Sequence, residues 1–329
     1  MKERDAIVPF REVERSKSEQ IMEMPEYIEK GMKADFPANE SKGVCLFAVG
    51  PTLVSAQFVV DVSNRYPFLV LASLNERVPG WLGEGTDAVV MAYSGNTQMM
   101  IDTYRKLSEK GCRIHCMTSS GALEEMCRED GNHLIELPKD MAARSAVPYE
   151  IGVLASLLRS LGAPYLYDSL SSVLSRLRAY RDAKRKDMSE VVRVSDILYG
   201  RIPAIYSSID TVAAAKRWKI SINEDAESPA FYGEIPEFDH NEIVGWADPN
   251  MHAKGLRMVV LRMNSGIPEF EYTMDSMMRT LEEYDREILC IDFPDEDRTL
   301  SELKAMLFGD MVALELRRRK EVSEWKRRQ

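Results

Sequence analysis

Apolar residues in this chain gather in short unbroken runs, separated by longer stretches in which apolar and polar positions alternate with helical spacing. From residue 43 the runs "GVCLFAV", "FLVLASL", "AVVMAY", "CRIHCM" and "HLIEL" are interleaved with the helical patterns "PTLVSAQFVVDVSNR", the segment opening at about Thr97, and "GALEEMCRED". Strands buried on both faces read as continuous apolar runs, so the pattern predicts parallel strands covered by helices on either side. From Pro148 to about Met188 the spacing is helical throughout. A second alternation then follows through "RIPAIYSS", "TVAAAKRWKISI", "LRMVVLRM", "FEYTMDSMMRTLEEY", "EILCIDF" and a last helix from about Thr299. The expected fold class is α/β, with two doubly wound αβα sandwich domains built on parallel sheets. The expected divisions are a helical arm at 1–40, a first domain at 41–150, bridging helices at 151–195 and a second domain at 196–329.

Ligands of such sheets lie beyond the carboxyl ends of the strands, which directs attention to the loops after Val49, Tyr93, Met117 and Ser208. Three successive strand ends in the first half carry Gly50-Pro51-Thr52, Ser94-Gly95-Asn96-Thr97 and Thr118-Ser119-Ser120-Gly121. Free N–H groups at a helix start, with hydroxyls beside them, suit an anion such as a phosphate. An ordinary strand-to-helix turn with Thr97 as its cap is the competing reading.

Length and charge narrow the choice. With 329 residues the chain has room for two cores, and 43 basic against 53 acidic residues leave a net charge of −10, which argues against a general nucleic-acid binder. Five scattered cysteines without a CxxC pair suit a reducing compartment, and Cys112, His115 and Cys116 read as strand residues rather than metal ligands. No apolar run reaches the length of a membrane span, so the expectation is a cytoplasmic protein without metal, membrane or nucleic-acid partner. The nineteen methionines are read as core filling.

Two further stretches carry candidate chemistry. Arg144 stands among the small residues of "PKDMAARSAVPYE", where a guanidinium is free to reach an anion. Residues 213–246 hold Glu224, Glu227, Glu234, Glu237, Glu242 and His240 alongside Trp218, Phe231, Tyr232, Phe238 and Trp246. An aromatic wall around these carboxylates would desolvate them and raise their basicity; a solvated acidic loop is the alternative.

Taken in order, "AYSGNT", "MTSSGAL", "LPKDMAARSAVPYEIG", "GRIPAIY", "AAAKRWKISINEDAESPAF" and "PEFDHNEIVGW" resemble the motifs of the bifunctional phosphoglucose/phosphomannose isomerases, which are built from two sugar isomerase (SIS) domains. The resemblance implies that Glu224 moves a proton between C1 and C2, that His240 assists ring opening, that Arg144 stabilises the enediolate, and that Lys326, or else Lys320, is the lysine used near the C-terminus. It implies phosphate contacts from Gly50, Thr52, Ser94, Asn96 and Thr97, a small-molecule sugar phosphate as substrate, no cofactor, and a homodimer in which His240 serves the neighbouring subunit. Two positions depart from the family pattern. Pro51 replaces a residue with a backbone N–H, and Ala92 stands where a serine hydroxyl is usual, so a weakened or reshaped phosphate cradle is expected. A non-catalytic or altered-specificity sugar-phosphate binder is the alternative that these departures leave open.

Overall fold

A computed structural model describes residues 17–73, 77–139, 141–248, 255–264, 267–284 and 287–327, with side chains to residue 323. Its helices and strands alternate as α1 (Met24–Gly31), β1 (Val44–Ala48), α2 (Thr52–Ser63), β2 (Val70–Ser73), β3 (Asp87–Met91), α3 (Gln98–Glu109), β4 (Arg113–Thr118), α4 (Ala122–Glu129) and β5 (His133–Glu136). Three helices follow, α5 (Ala143–Ser160), α6 (Tyr165–Lys186) and α7 (Ser189–Leu198). The second alternation comprises β6 (Ile202–Ser208), α8 (Val212–Glu224), β7 (Phe231–Ile235), α9 (Glu237–Asn241), α10 (Ile243–Ala247), β8 (Leu256–Met263), α11 (Pro268–Glu283), β9 (Ile288–Phe293) and α12 (Arg298–Arg327).

Both sheets are wholly parallel. The first has the order β2-β1-β3-β4-β5 and the second β7-β6-β8-β9, so each reverses direction once, between β1 and β3 and between β6 and β8. The continuous apolar runs account for this: β1 and β3 are buried at every position, as two-sided strands must be. One core cluster joins the inner faces of both sheets through Leu46, Val89, Val147, Ile205, Trp218 and Leu307. Smaller clusters lie outside, around Phe47, Tyr104 and Cys127 on the first sheet and around Tyr206, Phe238 and Met277 on the second.

Two elements differ from the sequence expectation. Residues 213–246 do not form one polar stretch walled by aromatics. They fold as a helix end, the edge strand β7 and two short helices, which sends their aromatics to different layers. Trp218 is fully buried, donating from Nε1 to the Ala305 carbonyl at 2.7 Å; Phe238 packs in the outer cluster of the second sheet; and Phe231 is 58% exposed on the edge. Helix α5 begins before Pro148 and runs through it. A proline in that position has no N–H for the carbonyl four residues back, which is that of Arg144. Arg217 fills the gap, donating from Nη1 to the Arg144 carbonyl at 2.7 Å.

Arg217 is buried and also binds Asp310 of α12 through two hydrogen bonds of 2.8 Å, while Ser221 Oγ donates to the same carboxylate at 2.6 Å. Breaking a buried pair of this kind leaves an uncompensated charge and costs about 3–5 kcal/mol. Asp310→Ala is therefore expected to lower the unfolding free energy by about that amount, measured from the urea midpoint at constant m-value.

Candidate active site

The switch point of the first sheet is bounded by the turns after β1 and β3. The turn after β3 is locked to the turn after β4. Gly95 adopts φ +66°, and a Cβ there would lie 1.7 Å from the Ser120 carbonyl oxygen; Gly121 adopts φ +87°, and a Cβ there would lie 2.5 Å from that of Ser94. Only glycine satisfies both the left-handed backbone and the close approach. Asn96 Oδ1 accepts the Ala122 N–H at 3.0 Å, capping α4, and Ser119 Oγ donates to the Tyr93 carbonyl at 2.6 Å. Ser94 and Asn96 are exposed at the mouth of this turn, with the Asn96 N–H directed to Ser94 Oγ at 3.4 Å. Thr97 begins α3 without a side-chain cap, so the leading N–H groups of that helix open on the same space.

Around the turn after β1, Gly50 has φ +63° with open space around it, and Pro51 is the cap position of α2. The structure turns Thr52 inward: it is 2% exposed, and its hydroxyl donates to the Val49 carbonyl at 2.9 Å. Ala92 is likewise buried in the outer cluster, away from the open mouth, so its missing hydroxyl removes nothing from that mouth. Pro51 remains the one departure from the family pattern that alters the loop surface, through its absent N–H.

Behind this loop Ser55 Oγ lies 2.7 Å from the Thr52 carbonyl and 2.5 Å from Glu150 Oε2. One hydroxyl proton cannot serve both acceptors, so a chain running from a protonated Glu150 to Ser55 and on to Thr52 satisfies the geometry. Complete burial pushes the Glu150 carboxyl up to about 7, against the lowering effects of Ser55 and Arg217.

Arg144 occupies the first turn of α5, at the carboxyl edge of the first sheet. Tyr93 Oη reaches the Pro138 and Met141 carbonyls at 2.6 and 2.5 Å, tying the segment before Arg144 to the residue before Ser94. β3 and β5 stand two strand spacings apart, roughly 10 Å. From the second half, α8 ends here with Glu224 and Asp225. Arg144 Nη1 is 3.3 Å from Glu224 Oε2, Nε donates to Asp225 Oδ1 at 2.7 Å, and Nη2 is 2.6 Å from the same oxygen. Glu224 is 41% exposed, Arg144 16% and Asp225 3% by side chain. Two carboxylates at the negative end of a helix oppose its dipole, each by about 0.3–1 kcal/mol, and the Arg144 guanidinium offsets this.

His240 is exposed on α9, just past the carboxyl end of β7, whereas Glu224 lies before the amino end of that strand. The five residues of β7, roughly 16 Å of strand, run between them in the chain. Tyr206 Oη donates to Glu242 Oε2 at 2.5 Å and accepts from Trp246 Nε1 at 3.2 Å, which fixes the turn carrying His240. The Lys326 side chain lies outside the described residues, while Lys320 Nζ donates to the Glu227 carbonyl at 2.8 Å, three residues past Glu224. Asp225, Glu150 and Arg217 were missed by sequence reasoning; the adjacency of Asp225 to Glu224 and the Pro148 that frees the Arg144 carbonyl were the available signals.

A cavity of about 440 Å³ lies away from this site. It sits at the carboxyl edge of the second sheet, lined by Ser208, Arg262, Asp275, Asp292 and Asp295 among others. Its carboxylates disfavour a phosphate. Among the described residues no group of side chains is arranged to hold a metal ion, and no helix is long and apolar enough to cross a membrane.

Two doubly wound parallel sheets, the first carrying a glycine-locked hydroxyl turn, define an α/β protein of two similar halves. Residues 189–323 match the model of the bacterial phospho-glucose isomerase C-terminal SIS domain. The chain is homologous to the bifunctional phosphoglucose/phosphomannose isomerases. It is 33% identical to that of Aquifex aeolicus over 50% of this chain and 49% of the relative, and 28% identical to that of Caldicellulosiruptor bescii over 74% and 75%. It is also 28% identical to a D-glucosamine-6-phosphate 4-epimerase of Sulfolobus acidocaldarius over 66% and 69%. The C-terminal domain of glucosamine-fructose-6-phosphate aminotransferase from Francisella tularensis shares the fold, with a TM-score of 0.65 at 15% identity over 91% of this chain and 96% of that one.

Because the Glu150 carboxyl is raised from 4.5 to about 7, the folded state holds its proton more tightly than the unfolded chain does. The cost of ionising it is absent below pH 4.5, grows as pH rises, and is complete above pH 7, on the order of 3 kcal/mol. Glu150→Gln is expected to raise the melting temperature at pH 8, with the gain shrinking to nothing near pH 4.5 in a thermal-melt series.

Proposed function

We propose that this chain is an aldose–ketose isomerase interconverting glucose 6-phosphate, and also mannose 6-phosphate, with fructose 6-phosphate through an enediolate. The observation that carries this reading is the meeting of Arg144 from the first half with Glu224 from the second at 3.3 Å, beside the hydroxyl turn of the first sheet. The phosphate rests against Ser94, Asn96, Thr97 and the N-terminus of α3, with Gly50 on the opposite side. An open six-carbon chain then extends from β3 towards β5, placing C1 and C2 between Arg144 and Glu224.

Glu224 takes the C2 proton of the aldose; the C–H electrons form the C1–C2 double bond, and charge moves to O1, where Arg144 Nη1 holds it. A proton passes from O2 to O1, and Glu224 returns its proton to C1, giving the ketose. Glucose and mannose 6-phosphates differ at C2, which becomes planar in the enediolate, so one base can accept both. Ring opening falls to the partner subunit's His240 in a homodimer, since the protomer's own His240 lies at the far edge of the second sheet. The C-terminal lysine is Lys326, with Lys320, whose Nζ donates to the Glu227 carbonyl at 2.8 Å, as its competitor.

A second reading, turnover of an amino sugar phosphate or binding without turnover, is favoured by Pro51 and by the likeness to the epimerase. Side-by-side assays of hexose and hexosamine phosphates separate the two. With fructose 6-phosphate formation coupled to a dehydrogenase, Glu224→Gln is expected to lower kcat by about 10²–10⁴-fold, the usual worth of a positioned base. Undiminished turnover in that variant contradicts the assignment.

A further inference from the structure

We propose that Asp225 is a positioning residue for the isomerase reaction, an inference that rests on the reading above: it holds one edge of the Arg144 guanidinium so that only Nη1 faces Glu224 and the substrate oxygen. A guanidinium offers a two-pronged edge, Nε with Nη2, that binds a carboxylate far better than a single prong does. Asp225 Oδ1 occupies both prongs of that edge, at 2.7 and 2.6 Å, and leaves Glu224 a single 3.3 Å contact.

Burial divides the roles in the same way. The Asp225 side chain is almost wholly enclosed, while Glu224 beside it is open to solvent. The Asp225 backbone is fixed as well, its N–H donating to the Ser221 carbonyl at 2.8 Å. Lys17 Nζ stands 3.7 Å from Asp225 Oδ1, and Arg217 lies on the same helix, so the enclosed carboxylate sits among cations. Without Asp225 the two-pronged edge becomes available to Glu224, which would be drawn into a bidentate pair. A base held that way is lost to proton abstraction, and the cation turns from the place where O1 develops charge.

The test is steady-state isomerase kinetics on the full chain for Asp225→Ala, Arg144→Ala and the double variant, with Glu224→Gln as reference and melting temperatures recorded throughout. Asp225→Ala is expected to lower kcat by about 10- to 100-fold with KM changed less than about threefold. In the Arg144→Ala background it should add less than about threefold, because its effect passes through that guanidinium. Asp225→Asn retains an oxygen acceptor without the charge and is expected to recover most of the loss. A kcat within threefold of wild type for Asp225→Ala, or losses that multiply in the double variant, overturns the inference. Should Asp225→Ala not fold, Asp225→Asn carries the test: a cost in kcat of a fewfold that disappears in the Arg144→Ala background supports the inference, and an equal cost in both overturns it. If Glu224→Gln and Arg144→Ala keep the wild-type rate, the isomerase reading itself fails; if they lose activity and Asp225→Ala does not, only the role of Asp225 fails.

Discussion

Helix α8 ends in two adjacent carboxylates, at the end of a helix where negative charge is least welcome, and the arrangement of the site follows from how that charge is met. The cation comes from the other half of the molecule. Arg144 projects from the first turn of α5, and its own carbonyl is held by Arg217, which in turn is held by Asp310. Pro148 makes this relay possible: it withholds the N–H that would otherwise occupy the Arg144 carbonyl. A buried ion pair between α8 and α12 thereby aims a largely enclosed guanidinium on α5. The carboxyl edge of the first sheet and the amino edge of the second are joined at this point.

Steric exclusion, rather than charge, builds the other side of the site. Gly95 and Gly121 let two neighbouring strand-to-helix turns approach within contact of each other's carbonyls, and the Asn96 side chain seals the junction by capping α4. The hydroxyl turn is therefore a rigid edge and not a loose loop, and Tyr93 carries that rigidity on to the segment before Arg144. The hydroxyl turn and the segment leading into Arg144 are thus fixed relative to each other by backbone contacts and one phenol.

Much of the fold was legible in the sequence, because two-sided parallel strands leave unbroken apolar runs; β8 coincides with "LRMVVLRM" residue for residue. β7 was not legible: "FYGEI" is an exposed edge strand, and its polar alternation resembles a loop. Nearness of Arg144 to Glu224 was implied by family resemblance alone, since 80 residues separate them and no local pattern encodes the contact. The inward turn of Thr52 and the burial of Ala92 depend on which face of a strand end or first helical turn a side chain takes, which a one-residue shift reverses. The buried groups Glu150 and Asp225 were invisible because an acidic residue in a sequence reads as surface until packing encloses it.

A structure determined with a hexitol 6-phosphate bound tests the central claim most directly. The phosphate is expected against Ser94, Asn96 and Thr97, with C1 and C2 within hydrogen-bonding reach of Arg144 and Glu224 and a neighbouring subunit's His240 near the ring-oxygen position. A phosphate bound at the carboxyl edge of the second sheet, with residues 144 and 224 left untouched, would contradict it.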